Sequence, residues 1–122
     1  MTKQIMIVDD SASLRQVVSI ALKGAGYEVV EACDGQDALA KLDGRKLHLI
    51  VSDVNMPNMD GISFLKAAKQ LPAYKYTPVI MLTTEGGEDM KREGQAAGAK
   101  AWVVKPFLPT QMLTAISKLV LP

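Results

Sequence analysis

The stretch LHLIVSDVNMPNMDG at residues 47–61 decides the fold. Its first half is a short apolar run without sustained polar alternation, which is typical of a strand that is covered on both faces. The run ends on a carboxylate, Asp53, and then gives way to Asn, Pro, Asp and Gly, which favour turns. Since a strand covered on both faces needs helices on both sides of its sheet, the segment predicts an α/β protein.

Four further apolar runs of the same kind alternate with helical patterns. The predicted strands lie at 4–8, 28–32, 47–52, 78–83 and 100–104. Two predicted helices begin near Ser11 and at Pro109, residue types that suit a first turn, and the others lie at 35–43, 61–71 and about 87–97. Five successive β–α units predict a doubly wound, five-stranded parallel sheet with right-handed crossovers and helices on both faces.

Length and composition narrow the class of protein. With 122 residues and no linker or repeat, we expect a single domain over residues 1–122. The net charge of +1 leaves no broad basic field for nucleic acid or an anionic membrane. No apolar run approaches the roughly 20 residues of a membrane span, and no signal peptide is evident, so we expect a cytoplasmic protein. Cys33 and His48 are each alone, which excludes an internal disulfide and multi-thiolate or histidine-rich metal sites.

Polar residues stand where the predicted strands end. They are Asp9, Asp10, Asp53, Thr83 and Lys105. Because the carboxyl ends of parallel strands meet at one edge of the sheet, where such sheets bind ligands, we expect these side chains to converge. Three close carboxylates beside one ammonium need raised pKa values or a bound divalent cation. An all-oxygen ligand set favours Mg²⁺, with Mn²⁺ as the alternative.

Asp53 stands apart from the acidic pair, and we interpret it as a nucleophile that forms an aspartyl phosphate. Lys105 and the metal would neutralise the phosphoryl oxygens, while Thr83 would donate a hydrogen bond to one of them. Any one of these residues alone is more often a solvated strand end. Their coincidence at four of five predicted strand ends favours phosphoryl transfer.

Four segments resemble, in order and spacing, the defining motifs of response-regulator receiver domains: IMIVDDS at 5–11, VSDVNMPNMDG at 51–61, MLTTE at 81–85 and VVKPF at 103–107. The resemblance covers the whole chain and is strongest to CheY-like single-domain chemotaxis regulators. It implies a flavodoxin-like (βα)5 fold with strand order 2-1-3-4-5. It also implies a cis peptide bond between Lys105 and Pro106, a geometry that proline permits.

The resemblance further implies a role for each acidic residue. Asp53 would be the phosphoacceptor and a metal ligand, Asp10 would bind Mg²⁺ directly, and Asp9 would act largely through a metal-bound water. The backbone carbonyl of Asn55 would complete the protein ligands. Asn55 and Glu85 would flank the path of the attacking water and modulate dephosphorylation, which implies a short-lived phosphorylated state.

By the same resemblance, Thr83 and Lys105 would hold the phosphoryl group. Thr83 would move toward that group on activation, and a switch aromatic residue, usually Tyr or Phe, would turn inward behind it. This would remodel the surface of the fourth helix, fifth strand and fifth helix. The switch position holds Trp102 here, whose larger indole must find a partner for its N–H when buried. Trp102 is therefore either a switch or a fixed part of a partner-binding surface.

The implied function is a two-component, chemotaxis-type signalling module that catalyses only its own phosphorylation and dephosphorylation and is not otherwise an enzyme. Its partners would be a CheA-like histidine kinase and a phosphorylation-dependent target such as the flagellar motor switch, and we expect a monomer. A phosphorelay carrier or phosphate sink without an output target is the main alternative. A flavodoxin-like electron carrier is disfavoured because Asp9 and Asp10 would repel a phosphate, and an aspartyl phosphatase because it would need a cap or a second acidic motif.

Overall fold

Five strands alternate with five α-helices in the computed structural model, which describes residues 3–84 and 88–120 apart from the side chains of Glu88 and Met90. The strands β1 to β5 are Gln4–Val8, Glu28–Ala32, Leu49–Asp53, Val79–Thr83 and Ala101–Val104. The helices α1 to α5 are Ala12–Gly24, Gly35–Lys41, Gly61–Lys69, Glu88–Ala96 and Pro109–Leu119, with a short 3-10 helix at Pro72–Tyr74. The predicted order of elements is confirmed.

The boundaries differ from the predicted ones by a few residues. β3 begins at Leu49, two residues after the predicted start. His48 just before it still contacts β1, since its backbone N–H donates to the Gln4 carbonyl at 2.8 Å and its Nδ1 accepts from the Gln4 N–H at 3.0 Å. α3 ends at Lys69, two residues before the predicted end, and the 3-10 helix follows it. The predicted start of the fourth helix at residue 87 lies outside the described residues.

The sheet is parallel throughout, with strand order β2-β1-β3-β4-β5, which confirms the doubly wound, flavodoxin-like topology. Its register aligns the strand ends. Val8 lies opposite Ser52, so Asp9 and Asp53 come next on neighbouring strands. Asp53 in turn lies opposite Leu82, and Thr83 lies opposite Val104. The residues that the sequence placed at strand ends therefore share one edge, where strand order reverses between β1 and β3.

Two apolar layers cover the two faces of the sheet. Ile5 and Ile7 of β1 pack into one cluster with the inner faces of α1 and α5, whereas Met6 and Val8 pack into another with α3. Every residue of β3 and β4 is buried, as predicted for strands covered on both sides. None of the helices in the described part of the chain is long and apolar enough to cross a membrane.

Side chains next to the strand ends fix where three helices begin. Ser11 accepts a hydrogen bond from the Leu14 N–H, and Asp60 accepts one from the Ser63 N–H at 2.8 Å. Asp34 caps α2 in the same way. These caps satisfy N–H groups that have no partner within the helix, and they anchor each helix close to the edge where the strands end. The Lys105–Pro106 peptide bond that follows β5 is cis, as the resemblance implied.

Gly61 provides a test of how tightly α3 abuts β3. A Cβ atom at this position would lie 2.0 Å from the carbonyl oxygen of Asp53, so an alanine side chain has no room unless the backbone shifts. We predict that Gly61→Ala lowers the free energy of unfolding by about 3 kcal/mol. Equilibrium unfolding in urea measures this change.

Gly24→Ala at the end of α1 is the matched control. Nothing lies within 4 Å of a Cβ atom built at Gly24. Since alanine favours helix, this variant should match the wild type or gain up to about 1 kcal/mol. A Gly61→Ala protein as stable as Gly24→Ala would contradict the close approach of α3 to β3.

Candidate functional site

Three aspartates meet at the edge of the sheet where strand order reverses. Asp9 and Asp10 follow β1, and Asp53 is the last residue of β3. One carboxylate oxygen from each lies within 4.8 Å of the other two. Asp9 is 1% exposed and Asp53 is 5% exposed, whereas Asp10 faces solvent. The structure thus brings together the three carboxylates that the sequence predicted to converge.

Lys105, the residue after β5, joins two of these carboxylates. Its Nζ lies 3.0 Å from Oδ2 of Asp9 and 3.2 Å from Oδ1 of Asp53. Burial alone lowers the pKa of Lys105, but hydrogen bonds and the charges of Asp9 and Asp53 outweigh it, so the pKa lies above its ordinary value. The side chain therefore stays a cation at the centre of the site, as its predicted role requires.

The charge of Lys105 does not balance the site. Burial, followed by the negative charge of Asp9, raises the pKa of Asp53 above its ordinary value, although Lys105 acts in the opposite direction. Three carboxylates thus share one ammonium group, and burial makes the charges of Asp9 and Asp53 more costly. Closely spaced carboxylate oxygens, two of them buried and one open to solvent, are a donor set that fits a hard divalent cation such as Mg²⁺.

Arg15 is a part of the site that sequence reasoning missed. Its Nη1 donates to the backbone carbonyl of Asp9 at 2.5 Å, and its Nε lies 3.2 Å from the Glu31 carboxylate on β2. The backbone N–H of Ser11 also donates to Oδ1 of Asp9 at 2.8 Å. Asp9 is therefore held through both its backbone and its side chain. The sequence signal was a single arginine in the first turns of α1, which is indistinguishable from an ordinary helix-surface residue.

The remaining predicted site residues occupy different surroundings. Thr83 ends β4 and is fully buried beside Val104, and Lys105 N–H donates to its carbonyl at 2.7 Å. Asn55 is exposed in the loop after β3. Glu85 lies outside the described residues, and its role in dephosphorylation stays a prediction.

Trp102 lies on β5 opposite Met81, and it packs against the core cluster that contains Met81 and the inner face of α3. A Cβ atom at Gly94 of α4 would lie 2.5 Å from its ring carbon Cζ3, so the indole rests against the bare helix backbone. Its buried Nε1 has no hydrogen-bond partner among the residues that the structure describes. The indole is thus packed at the α4–β5 boundary, and whether it switches or forms a fixed surface stays a prediction.

Comparison with known proteins agrees with this geometry. Residues 5–117 match the family model described as the response regulator receiver domain. Protein PilG of Pseudomonas aeruginosa is 37% identical over 113 residues, covering 93% of this chain and 84% of PilG. Chemotaxis protein CheY1 of Helicobacter pylori is 37% identical over 108 residues, 87% of each chain. The structure of Vibrio cholerae CheY4 superposes with a TM-score of 0.94 at 47% identity, covering 98% of this chain and 99% of CheY4. The chain therefore belongs to the response regulator receiver domain family, as a CheY-like member.

Proposed function

We propose that this chain is a phosphorylation switch of a chemotaxis-type two-component system, in which Asp53 accepts a phosphoryl group from a histidine kinase. The observation that carries the proposal is the placement of one cation between two buried carboxylates, with Lys105 at 3.2 Å from Asp53 and 3.0 Å from Asp9. This arrangement leaves a buried nucleophile beside a fixed positive charge, which is what transfer of a charged phosphoryl group requires.

The chemistry uses few parts. A carboxylate oxygen of Asp53 attacks the phosphorus of a phosphohistidine, an O–P bond forms, and the P–N bond breaks with its electron pair going to the imidazole. Lys105 offsets charge on the phosphoryl oxygens, and the Thr83 hydroxyl donates a hydrogen bond to one of them. Water later attacks the same phosphorus, the P–O bond to Asp53 breaks, and phosphate leaves while the Asp53 carboxylate is regenerated. We propose that Asn55 and Glu85 modulate the rate of this step. The chain in this proposal catalyses no reaction on other substrates.

Asp9, Asp10, Asp53 and the backbone carbonyl of Asn55 would hold Mg²⁺, with Mn²⁺ as the alternative ion. Receiver domains as a family bind Mg²⁺ in their acidic pocket, and the three close carboxylates of this chain fit that use. When bound, a divalent cation neutralises charge on the transferring phosphoryl group. Lys105 would then be free to hold a phosphoryl oxygen, while Asp9 keeps the ammonium group in place.

The proposed output runs through β4 and β5. Thr83 and Trp102 lie on these neighbouring strands, and Trp102 contacts Gly94 of α4. A movement of Thr83 could therefore alter the α4-β5-α5 surface through Trp102. Receiver domains interact with histidine kinases and output targets. We propose a CheA-like kinase as the phosphoryl donor and the flagellar motor switch or another output protein as the target. We also propose that residues 1–122 act as one cytoplasmic receiver domain and as a monomer.

The assignment of Asp53 is tested by Asp53→Asn, which removes the nucleophile while nearly preserving its shape. Incubation with radiolabelled acetyl phosphate and Mg²⁺ should label the wild type, and the variant should incorporate at least roughly a hundredfold less. Asp43→Asn is the matched control, since Asp43 is an exposed carboxylate paired with Arg45 away from the site. Equal labelling of the Asp53 variant would exclude Asp53 as the acceptor. Undiminished labelling of the wild type in excess chelator would exclude a requirement for a divalent cation.

The pKa of Asp53 predicts how stability depends on pH. Its folded-state value is raised, so the ionised carboxylate disfavours the folded state at any pH above the unfolded-state pKa, and the penalty vanishes once Asp53 is protonated in both states. In chelator at pH 7, Asp53→Asn should therefore raise the free energy of unfolding by about 1 kcal/mol, with no gain below about pH 3.

Urea unfolding across this pH range measures the effect. Mg²⁺ should stabilise the wild type more than Asp53→Asn, because the variant lacks one of the charges that attract the ion. A lower free energy of unfolding in Asp53→Asn at pH 7 would show that the ion pair with Lys105 outweighs the cost of burying the Asp53 charge beside Asp9.

The output target is tested by comparing protein treated with beryllofluoride, a phosphoryl mimic, with untreated protein in pull-downs from the source organism. We expect a partner other than a histidine protein that is retained only by the treated form, and we expect Trp102→Ala to weaken its capture about tenfold. Asp53→Asn exposed to the same reagent is the control. Capture of histidine proteins alone would favour the phosphorelay carrier or phosphate sink over a switch with an output target.

A further inference from the structure

The loop between β3 and α3, residues 54–60, has an unusual backbone at Asn58. Its φ angle is 68°, the one positive value at a non-glycine residue in the described part of the chain. The Met59 N–H donates to the Pro57 carbonyl at 2.7 Å, which makes a γ-turn centred on Asn58. Such a conformation is disfavoured for most residues and persists only where the surroundings hold it, although asparagine tolerates it better than most.

A hydrogen bond between distant parts of the sequence holds this turn. Nδ2 of Asn58 donates to Oδ2 of Asp34 at 2.8 Å, and the backbone N–H of Asp37 donates to the other oxygen at 2.8 Å. Asp34 is 9% exposed. The hydrogen bond from the Asp37 N–H, which has the larger effect, and the one from the Asn58 amide lower the pKa of Asp34 below its ordinary value. The acceptor is therefore a charged carboxylate, which strengthens both bonds.

Packing reinforces the same junction. A Cβ atom at Gly35, the first residue of α2, would lie 2.8 Å from Cγ of Met59 and 2.9 Å from its carbonyl oxygen. The loop can approach α2 this closely only because residue 35 is glycine. At the other end of the loop, the Val54 N–H donates to the Leu82 carbonyl, and the Gly61 N–H donates to the Val54 carbonyl. The sheet thus fixes the base of the loop, and α2 fixes its tip.

We propose that Asn58 and Asp34 form a loop latch that positions the backbone of residues 54–60, and with it the carbonyl of Asn55, for binding of Mg²⁺. Neither latch residue touches the metal in this proposal. Asn55 itself is exposed, so packing of its own side chain does not fix its backbone, and the contacts on either side of it must do so. The inference rests on the proposed function, because the role of Asn55 as a ligand comes from it.

Two substitutions remove the latch bond while sparing the local backbone. Asn58→Gly keeps access to positive φ and deletes the amide donor. Asp34→Ser keeps a capping oxygen for the Asp37 N–H and deletes the oxygen that faces Asn58. Each should raise the Mg²⁺ dissociation constant, measured by calorimetry, roughly tenfold. Because both changes break the same bond, the double variant should bind Mg²⁺ no more weakly than either single variant.

Kinetics separate positioning from a general structural role. With acetyl phosphate, the latch variants should need roughly tenfold more Mg²⁺ for half-maximal labelling and should approach the wild-type rate at saturating Mg²⁺. In chelator, their unfolding midpoints should fall by no more than the loss of one hydrogen bond explains. Ser63→Ala is the matched control from the opposite end of the loop, since the Ser63 hydroxyl donates to Asp60 at 3.0 Å while the Asp60 cap on the Ser63 N–H is retained. It should leave the Mg²⁺ dissociation constant unchanged.

The outcomes distinguish the latch from the proposed function. Wild-type affinity for Mg²⁺ in both single variants, or losses that add in the double variant, would overturn the latch and leave the phosphorylation switch intact. A fall in stability in chelator large enough to account for the weaker binding would also overturn it. A wild-type protein that neither binds Mg²⁺ nor accepts phosphoryl groups would overturn the proposed function itself.

Discussion

The ammonium group of Lys105 between Asp9 and Asp53 is the interaction on which the site depends. Two carboxylates at most 5% exposed repel each other in a region that water screens poorly, and a cation about 3 Å from each makes their burial tolerable. The compensation is incomplete, since the pKa of Asp53 is still raised. Three close carboxylates beside one ammonium group fit a divalent cation, and this links the electrostatics of the protein to the chemistry that we propose for it.

The sheet makes this arrangement possible because it is a rigid frame. Its register places Asp9 beside Asp53, independently of the loop conformations. Gly61 allows α3 to approach the carbonyl of Asp53 closely. Arg15 then ties the backbone of Asp9 to Glu31 on the edge strand β2. The acidic edge is thus held by backbone pairing and by contacts from several elements, as expected for a site whose function requires fixed distances.

Trp102 occupies a position where receiver domains usually have Tyr or Phe, and a small residue on α4 accommodates its larger ring. Gly94 leaves room for an indole ring against the helix backbone, where a Cβ atom would lie 2.5 Å from the ring. The buried Nε1 without a partner in the described residues makes this packing less favourable than that of a fully satisfied side chain. A packed but unsatisfied aromatic side chain fits a surface that would change with the proposed movement of Thr83, and it fits a fixed docking surface equally well.

The sequence by itself determined the order in which strands and helices follow one another along the chain, because apolar residues recur with different periods in strands and in helices. It also determined which side chains meet at the sheet edge, since parallel strands bring their carboxyl ends together and Asp53 and Lys105 stand at such ends. The contacts of Arg15 with Asp9, Asn58 with Asp34 and Gly94 with Trp102 were decided only by the tertiary structure. These contacts depend on the path of the loops and on the direction of single side chains, which follow no sequence period, and so local patterns did not reveal them.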